Sequence, residues 1–144
     1  IDKRAQAVTI EESTLGDRDA EKCMRGVLLG MTWPKPVGGR TAHAHYTAAA
    51  FEPPDPEVRE PVSVEAEQVK KVQTKLRKKA SDCHGVSSTY QVTAYLDTSG
   101  KVITASVTTR DPEGEASIDC LVDLVKTAEF PSPGSYMGKV TFSL

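Results

Sequence analysis

Three cysteines carry the most specific chemistry in this sequence. Cys23, Cys83 and Cys120 are an odd number, so they cannot all pair within one chain. None lies in a C-x-x-C or C-x-x-H spacing, which argues against a zinc finger. Two interpretations remain open at this point. The chain has either three buried thiols in a reducing compartment, or one disulfide and one unpaired cysteine in an oxidising compartment.

Two histidines are the candidate metal ligands. His43 and His45 are two residues apart, and residues at this spacing share a face of a strand, so both imidazoles could reach one ion. The sequence offers no evident acidic or thiol third ligand, and two half-exposed strand residues are the simpler interpretation. We therefore predict no metal and no cofactor. A small metal- or ligand-binding protein that uses His43 and His45 is the alternative.

Catalytic motifs do not appear in the sequence. It contains no Gly-rich phosphate loop, no G-x-S-x-G elbow and no H-E-x-x-H helix. A catalytic triad would require one of the three histidines to meet a nucleophile that no motif identifies. The sequence therefore favours a protein that is not an enzyme.

Composition excludes further classes. Of 144 residues, 38% are hydrophobic, which indicates a thin core, and the longest apolar runs are too short to span a membrane. The formal net charge of −2, from 18 basic and 20 acidic residues, argues against nucleic acid as a partner. The first residue is Ile1 rather than Met, which indicates a processed chain or a proteolytic fragment.

An internal repeat organises the chain. The pattern C-φ-x-x-φ-φ-x-x-x-x-aromatic-P-x-P, in which φ is apolar, occurs over residues 23–36 and again over residues 120–133. The same offset relates Cys23 to Cys120 and Trp33 to Phe130. We expect both aromatic residues to pack their helix onto a sheet, and the Pro-x-Pro to end the helix.

Residues 62–144 contain one complete unit. An apolar stripe at helical spacing predicts a helix over 62–82, and alternating residues predict a hairpin with strands over 90–96 and 101–109. A second short helix from Ile118 and a closing strand over 139–144 complete the order α-β-β-α-β. The predicted fold is α+β, a small three-stranded antiparallel sheet packed by two helices.

Residues 1–51 contain only the second half of this plan. A strand over 8–12, a helix over 18–30 and a strand over 41–50 match the last three elements of the complete unit. The Pro-rich residues 52–61 predict an extended linker. The chain thus holds one and a half tandem copies, and we expect the sequence before Ile1 to encode a helix with a cysteine and a first hairpin strand.

The repeat suggests how the cysteines pair. Cys83 ends the first helix of the complete unit and Cys120 lies in the second, so the two can form a disulfide if these helices pack side by side. Cys23 is equivalent to Cys120. Its partner is then expected in the missing half or in another chain.

At these residues the sequence resembles a known family. The hairpin over 91–107 with Gly100, the helix that begins near Cys120, and the ending Phe130-Pro131-x-Pro133 resemble the C-terminal domain of TonB-like energy transducers. The variant at the C-terminus of gliding-motility envelope proteins of the AgmX/PglI type is most similar, although that family often has Trp where this chain has Phe130.

The resemblance implies a non-catalytic periplasmic or cell-envelope module for protein–protein interaction, assembly or transport, as a subunit of a larger complex. An open sheet edge could accept a strand from a partner. The predicted edge residues are Lys139, Val140, Thr141, Phe142 and Leu144. The expected partner is a missing N-terminal fragment, a second copy or another envelope protein, with at most peripheral membrane contact. A strand-adding inhibitor or pro-segment is a further alternative.

The first predicted helix of the complete unit is rich in basic residues. The ordinary interpretation is a solvated helix face. The functional alternative is a patch for an acidic partner, peptidoglycan or anionic lipid. The residues concerned are Lys70, Lys71, Lys75, Arg77, Lys78 and Lys79.

Overall fold

The computed structural model describes residues 4–49, 55–83 and 89–144. These ranges contain three α-helices and four strands, so the predicted mixed α+β class is confirmed. Two 3₁₀ turns, Ser81–Cys83 and Pro112–Ser117, lead out of the second helix and into the third. The elements in chain order are α1 (Arg18–Gly30), β1 (Val62–Ser63), α2 (Ala66–Ala80), β2 (Tyr90–Leu96), β3 (Val102–Thr109), α3 (Ile118–Lys126) and β4 (Gly138–Ser143).

The sheet has four strands in the order β1-β4-β2-β3, where the sequence predicted three. The added strand is β1, which runs parallel to β4 through the bonds Val62 N–H to Met137 O and Val64 N–H to Lys139 O, both 2.9 Å. Residues 62–64 were predicted as helix, but Val62 and Val64 are β-branched and favour extended backbone. The helix therefore begins only at Ala66.

A tight turn joins β2 to β3, which pair antiparallel from Tyr90 opposite Thr109 onward. The Asp97 carboxylate accepts hydrogen bonds from the Ser99 N–H at 2.8 Å and the Lys101 N–H at 3.0 Å. Gly100 has a φ of 87°, a conformation that side chains rarely adopt. The sequence signal for a hairpin thus corresponds to a turn held by one carboxylate and one glycine.

The hydrophobic core lies between one face of the sheet and the helices α2 and α3. Phe130 is buried against Phe142, with ring centroids 6.0 Å apart, as expected for a residue that packs its helix onto the sheet. Its repeat counterpart Trp33 is only half-buried, and its indole N–H donates to the Leu28 carbonyl at 3.1 Å. The central core residues are Val69, Leu76, Val92, Ala94, Leu96, Val107, Ile118, Leu121, Val125 and Val140.

A disulfide joins α3 to the end of α2. Cys83 and Cys120 are bonded, their Cα atoms lie 5.6 Å apart, and 37 residues separate them in sequence. This is the pair predicted from the sequence. A loop of this length stabilises the fold by about 3–4 kcal/mol in the chain-entropy description. Cys23 is an exposed free thiol.

The N-terminal half unit folds only in part. The predicted helix forms as α1, but residues 8–12 and 41–49 form no strand, and residue 50 lies outside the described ranges. In the complete unit, β3 and β4 both pair with β2. The half unit has no counterpart of β2, and an isolated strand without a pairing neighbour is not stable. The two predicted strands are therefore corrected to irregular segments.

Candidate partner-binding surface

The helix α1 has a well-defined start. Asp17 is its N-cap, and its carboxylate accepts hydrogen bonds from the backbone N–H groups of Asp19 at 3.0 Å and Ala20 at 3.2 Å. Asp19 and Glu21 in the first turn also suit the positive end of the helix dipole. The helix is thus locally specified by its sequence, independently of the sheet.

Ion pairs hold α1 against the 3₁₀ turn and α3. The Arg18 side chain, buried to 5% exposure, donates to Asp119 at 2.9 Å and lies 3.4 Å from Glu115. Arg25 reaches the same Glu115 at 2.9 Å, and Lys22 reaches Asp119 at 3.0 Å. Partial burial would raise the pKa of Asp119, but hydrogen bonds from Arg18 and Lys22 outweigh it and lower that pKa. No motif in the sequence predicted this cluster of ion pairs.

The face of the sheet opposite the core is polar, yet it is buried. Thr93, Ser106 and Thr108 are each at most 2% exposed. Residues 13–17 cross this face and accept hydrogen bonds from it: Thr104 Oγ1 donates to the Gly16 carbonyl at 3.1 Å, and Lys139 Nζ donates to the Thr14 carbonyl at 3.1 Å. The half unit therefore docks on the complete unit mainly through polar contacts.

Glu21 is the most unusual member of this interface. Its side chain is 1% exposed, and neither carboxylate oxygen has a hydrogen-bond partner of normal geometry among the described residues. Burial raises its pKa, while the hydroxyls of Ser13 and Ser106 and the charge of Arg18 oppose this rise only in part. An ionisable group thus lies between α1 and the polar face of the sheet.

The opposite side of α1 is apolar and exposed. Met24 is 46% exposed, Val27 60% and Met31 45%, and the free thiol Cys23 lies beside them. Residues three and four apart lie on one side of a helix, so these four form a continuous surface, which we call the α1 apolar face. A helix normally buries such a stripe. Here α1 buries the polar Arg18 and Glu21 instead.

The repeat shows what covers the equivalent surface in the complete unit. At the matching positions of α3, Cys120 is bonded to Cys83 and both Leu121 and Val125 are fully buried. The cover in that unit consists of α2, the disulfide and the sheet. The matching positions of α1 are Cys23, Met24 and the half-buried Leu28. Of the α1 apolar face, Met24 thus corresponds to a fully buried residue of α3. Val27 and Met31 correspond to Leu124 and Ala128, which pack half-buried against the core.

The residues predicted to form an open sheet edge lie on β4, which is an interior strand of the sheet. β4 lies between β1 and β2, so Lys139 pairs with Ser63 on one side and Tyr95 on the other. Val140 and Phe142 point into the core. The prediction that β4 is an open edge is therefore wrong for most of the strand. β1 covers the beginning of β4, and only a short stretch at Thr141 is left without a neighbouring strand on that side. The end of β4 is capped in addition.

Side chains of α2 provide this cap at the end of β4. Gln73 Nε2 donates to the Ser143 carbonyl at 2.7 Å and Arg77 donates to it at 3.3 Å. Leu144, the last predicted edge residue, exchanges backbone hydrogen bonds with Tyr90 instead of facing outward. Little main-chain bonding capacity is therefore left for a partner strand on this side.

The candidate metal ligands lie in irregular backbone. His43 and His45 are both exposed, and residues 41–49 form no strand that would place them on one face. The Nδ1 atom of His45 lies 3.9 Å from a Glu11 carboxylate oxygen. The described residues contain no group of three or more His, Cys, Asp or Glu side chains that could hold a metal ion.

Comparison with known proteins adds no relative. No family model, curated protein or solved structure matches this chain. Within the described ranges, no helix combines the length and apolar character needed to cross a membrane.

Proposed function

We propose that this chain is a non-catalytic, TonB-like interaction module of the cell envelope. Residues 62–144 form its complete, disulfide-stapled unit, and residues 1–51 form a half unit that binds a partner protein. The proposal draws on the repeated sequence pattern, on the sequence resemblance and on the Cys83–Cys120 disulfide, which suits an oxidising compartment such as the periplasm.

One observation carries the proposal. The α1 apolar face is exposed, whereas its apolar counterparts in the complete unit pack against the core, Leu121 fully buried and Leu124 and Ala128 half-buried. Exposed apolar surface of this kind on a polar helix typically marks a protein interaction site. The chain keeps α1 in place through ion pairs on its other side, so the apolar face is presented outward on a docked helix.

The repeat also defines the chemistry of the partner. The covering segment should resemble α2 followed by β2, an amphipathic helix that leads into a strand. Its strand would pair with residues 8–12 and 41–47, as β2 pairs with β3 and β4. Its helix would lie on the α1 apolar face and end near Cys23. A companion fragment or another subunit could supply this segment.

Site-specific photo-crosslinking tests the proposal in the cell envelope. A photoreactive amino acid at Val27, which is 60% exposed on the α1 apolar face, should form an adduct with a helix–strand segment of a partner protein. The matched control is Val58, an exposed valine (66%) outside the half unit, which should form no such adduct.

Two crosslinking results would contradict the proposal. Equal adducts from Val27 and Val58 would show that the α1 apolar face has no preferred partner. If Val27 formed an adduct only with a second copy of this chain, the α1 apolar face would serve self-association and would not bind a completing segment of another protein. Peptide sequencing of the adduct distinguishes these outcomes.

A further inference from the structure

The outer side of α2 carries a row of lysines. Lys71, Lys75 and Lys78 are all exposed and follow one another at intervals of four and three residues, so they lie on one side of the helix. The buried residues Val69 and Leu76 lie on the opposite side, against the core. We call Lys71, Lys75 and Lys78 the α2 lysine stripe, and Lys79 borders it.

These lysines have no carboxylate partner among the residues that the structure describes. In residues 4–49, 55–83 and 89–144, none of the three forms an ion pair, whereas the neighbouring Lys70 lies 3.9 Å from Glu67. Four other lysine or arginine side chains of the described residues are paired with acids. These are Arg18, Lys22, Arg25 and Arg110, the last with Glu12. The positive charge of the stripe is therefore not neutralised within the described part of the chain.

The distribution of charge gives the molecule an orientation. Its formal net charge is −2, so the surface as a whole does not attract anions. The α2 lysine stripe runs along a helix whose last turn holds Arg77, Lys78 and Lys79. This side of the molecule would thus attract an anionic surface.

The composition of the stripe favours a lipid surface over other polyanions. It contains lysines, which act as point charges, while arginine is the residue suited to bidentate phosphate recognition. The stripe holds no aromatic side chain on which nucleic-acid bases could stack. It also holds no apolar residue that would insert into a membrane or fill a pocket on a protein. A straight row of exposed lysines along one side of a helix suits a flat array of anionic headgroups.

We propose that the α2 lysine stripe docks this protein on anionic phospholipid membranes. The association is peripheral and electrostatic, and it does not depend on the α1 apolar face or on the proposed function. Each lysine near an anionic surface strengthens binding about fivefold, so neutralising three lysines should weaken membrane binding about 100-fold. Such binding is screened by salt over a distance of about 10 Å at 0.1 M ionic strength.

Vesicle co-sedimentation of the full chain tests this proposal. Vesicles of phosphatidylcholine with phosphatidylglycerol should bind the protein at low salt and release it as the salt concentration rises. Vesicles of phosphatidylcholine alone are the control and should not bind it. The variant Lys71→Gln/Lys75→Gln/Lys78→Gln should lose about 100-fold in partitioning. The matched control, Lys35→Gln/Lys101→Gln/Lys126→Gln, removes the same charge from exposed positions elsewhere and should bind like the wild type.

Three results would overturn the proposal. One is the absence of binding to the anionic vesicles at low salt. Another is an equal loss in both triple variants, which would show a dependence on net charge alone. The third is equal or tighter binding, through the same lysines, to a single-stranded oligonucleotide or to poly-glutamate. Circular dichroism of both variants checks that α2 remains helical.

Discussion

Glu21 makes the stability of the folded protein, in which α1 lies against the sheet, depend on pH. Its carboxyl is enclosed between α1 and the sheet, and burial raises its pKa above the ordinary value of 4.5. A raised pKa means that the docked state holds the proton more tightly than the unfolded chain. The contribution of Glu21 to stability is thus complete below pH 4.5 and is lost as the pH rises through its folded-state pKa.

We therefore expect Glu21→Gln to stabilise the protein at neutral pH. The substitution removes a buried charge whose oxygens have no hydrogen-bond partner of normal geometry among the described residues. The free energy of unfolding at pH 7 should therefore increase by about 1 kcal/mol. Urea unfolding from pH 4 to pH 8 would measure it. The difference from wild type should grow as the pH rises through the folded-state pKa of Glu21.

The exposed Glu129→Gln is the control, and its free energy of unfolding should follow that of the wild type throughout. A Glu21→Gln difference that stays constant from pH 4 to pH 8 would contradict the assigned burial. The lowered pKa of Asp119 acts in the opposite direction, since its contribution is lost as the pH falls through its folded-state pKa, below its ordinary value of 3.8.

The β2–β3 hairpin is the element with the strictest local requirement. Its turn uses Gly100 at positive φ, and a Cβ there would overlap the Phe130 carbonyl oxygen. The same backbone is already bonded to this segment, since the Phe130 N–H donates to the Gly100 carbonyl at 3.0 Å. The turn thus connects the hairpin to the chain that leaves α3.

Replacing Gly100 with alanine should destabilise the fold by more than about 2 kcal/mol, because backbone strain and the overlap with Phe130 add. Chemical denaturation measures the loss. Gly134 is the matched control, since its φ of 109° is also positive but a Cβ there would meet nothing within 4 Å. Gly134→Ala should therefore cost only the strain, about 1 kcal/mol. Equal losses in both variants would contradict the role of the close approach.

At the scale of the whole molecule, the two parts contribute unequally to stability. The apolar core, the disulfide and the four-stranded sheet all lie within residues 62–144. The half unit adds ion pairs and buried polar contacts, and partly exposed ion pairs stabilise proteins little. The complete unit thus positions the half unit, whereas the half unit contributes little to the stability of the complete unit.

A chain of residues 55–144 should therefore fold alone. It should keep the Cys83–Cys120 disulfide and a cooperative unfolding transition, within about 2 kcal/mol of the full chain, since the uncovered Thr93 and Ser106 can bond to water. Near-ultraviolet circular dichroism and urea unfolding measure this. Residues 1–61 alone should remain unfolded, since one helix without a core is not stable. An unfolded 55–144 chain would contradict this division.

Much of the complete unit was predictable because its signals are local. Alternating residues identified β2 and β3, a turn sequence identified the hairpin, and helical spacing identified α3. The disulfide between Cys83 and Cys120 followed from their positions on two helices of one unit. Helix α1 was predicted from its match to α3 in the repeat, and the Asp17 cap at its start is likewise local.

The sequence alone determined these elements because each depends on residues close together in the chain. Tertiary structure decided how they are used. It placed β1 beside β4, left residues 8–12 without a strand to pair with, and turned the polar side of α1 toward the sheet so that Val27 faces outward. Each of these outcomes depends on surfaces that are distant in the sequence. Arg18 and Asp119, for example, are 101 residues apart, and only the folded sheet and α3 bring them together.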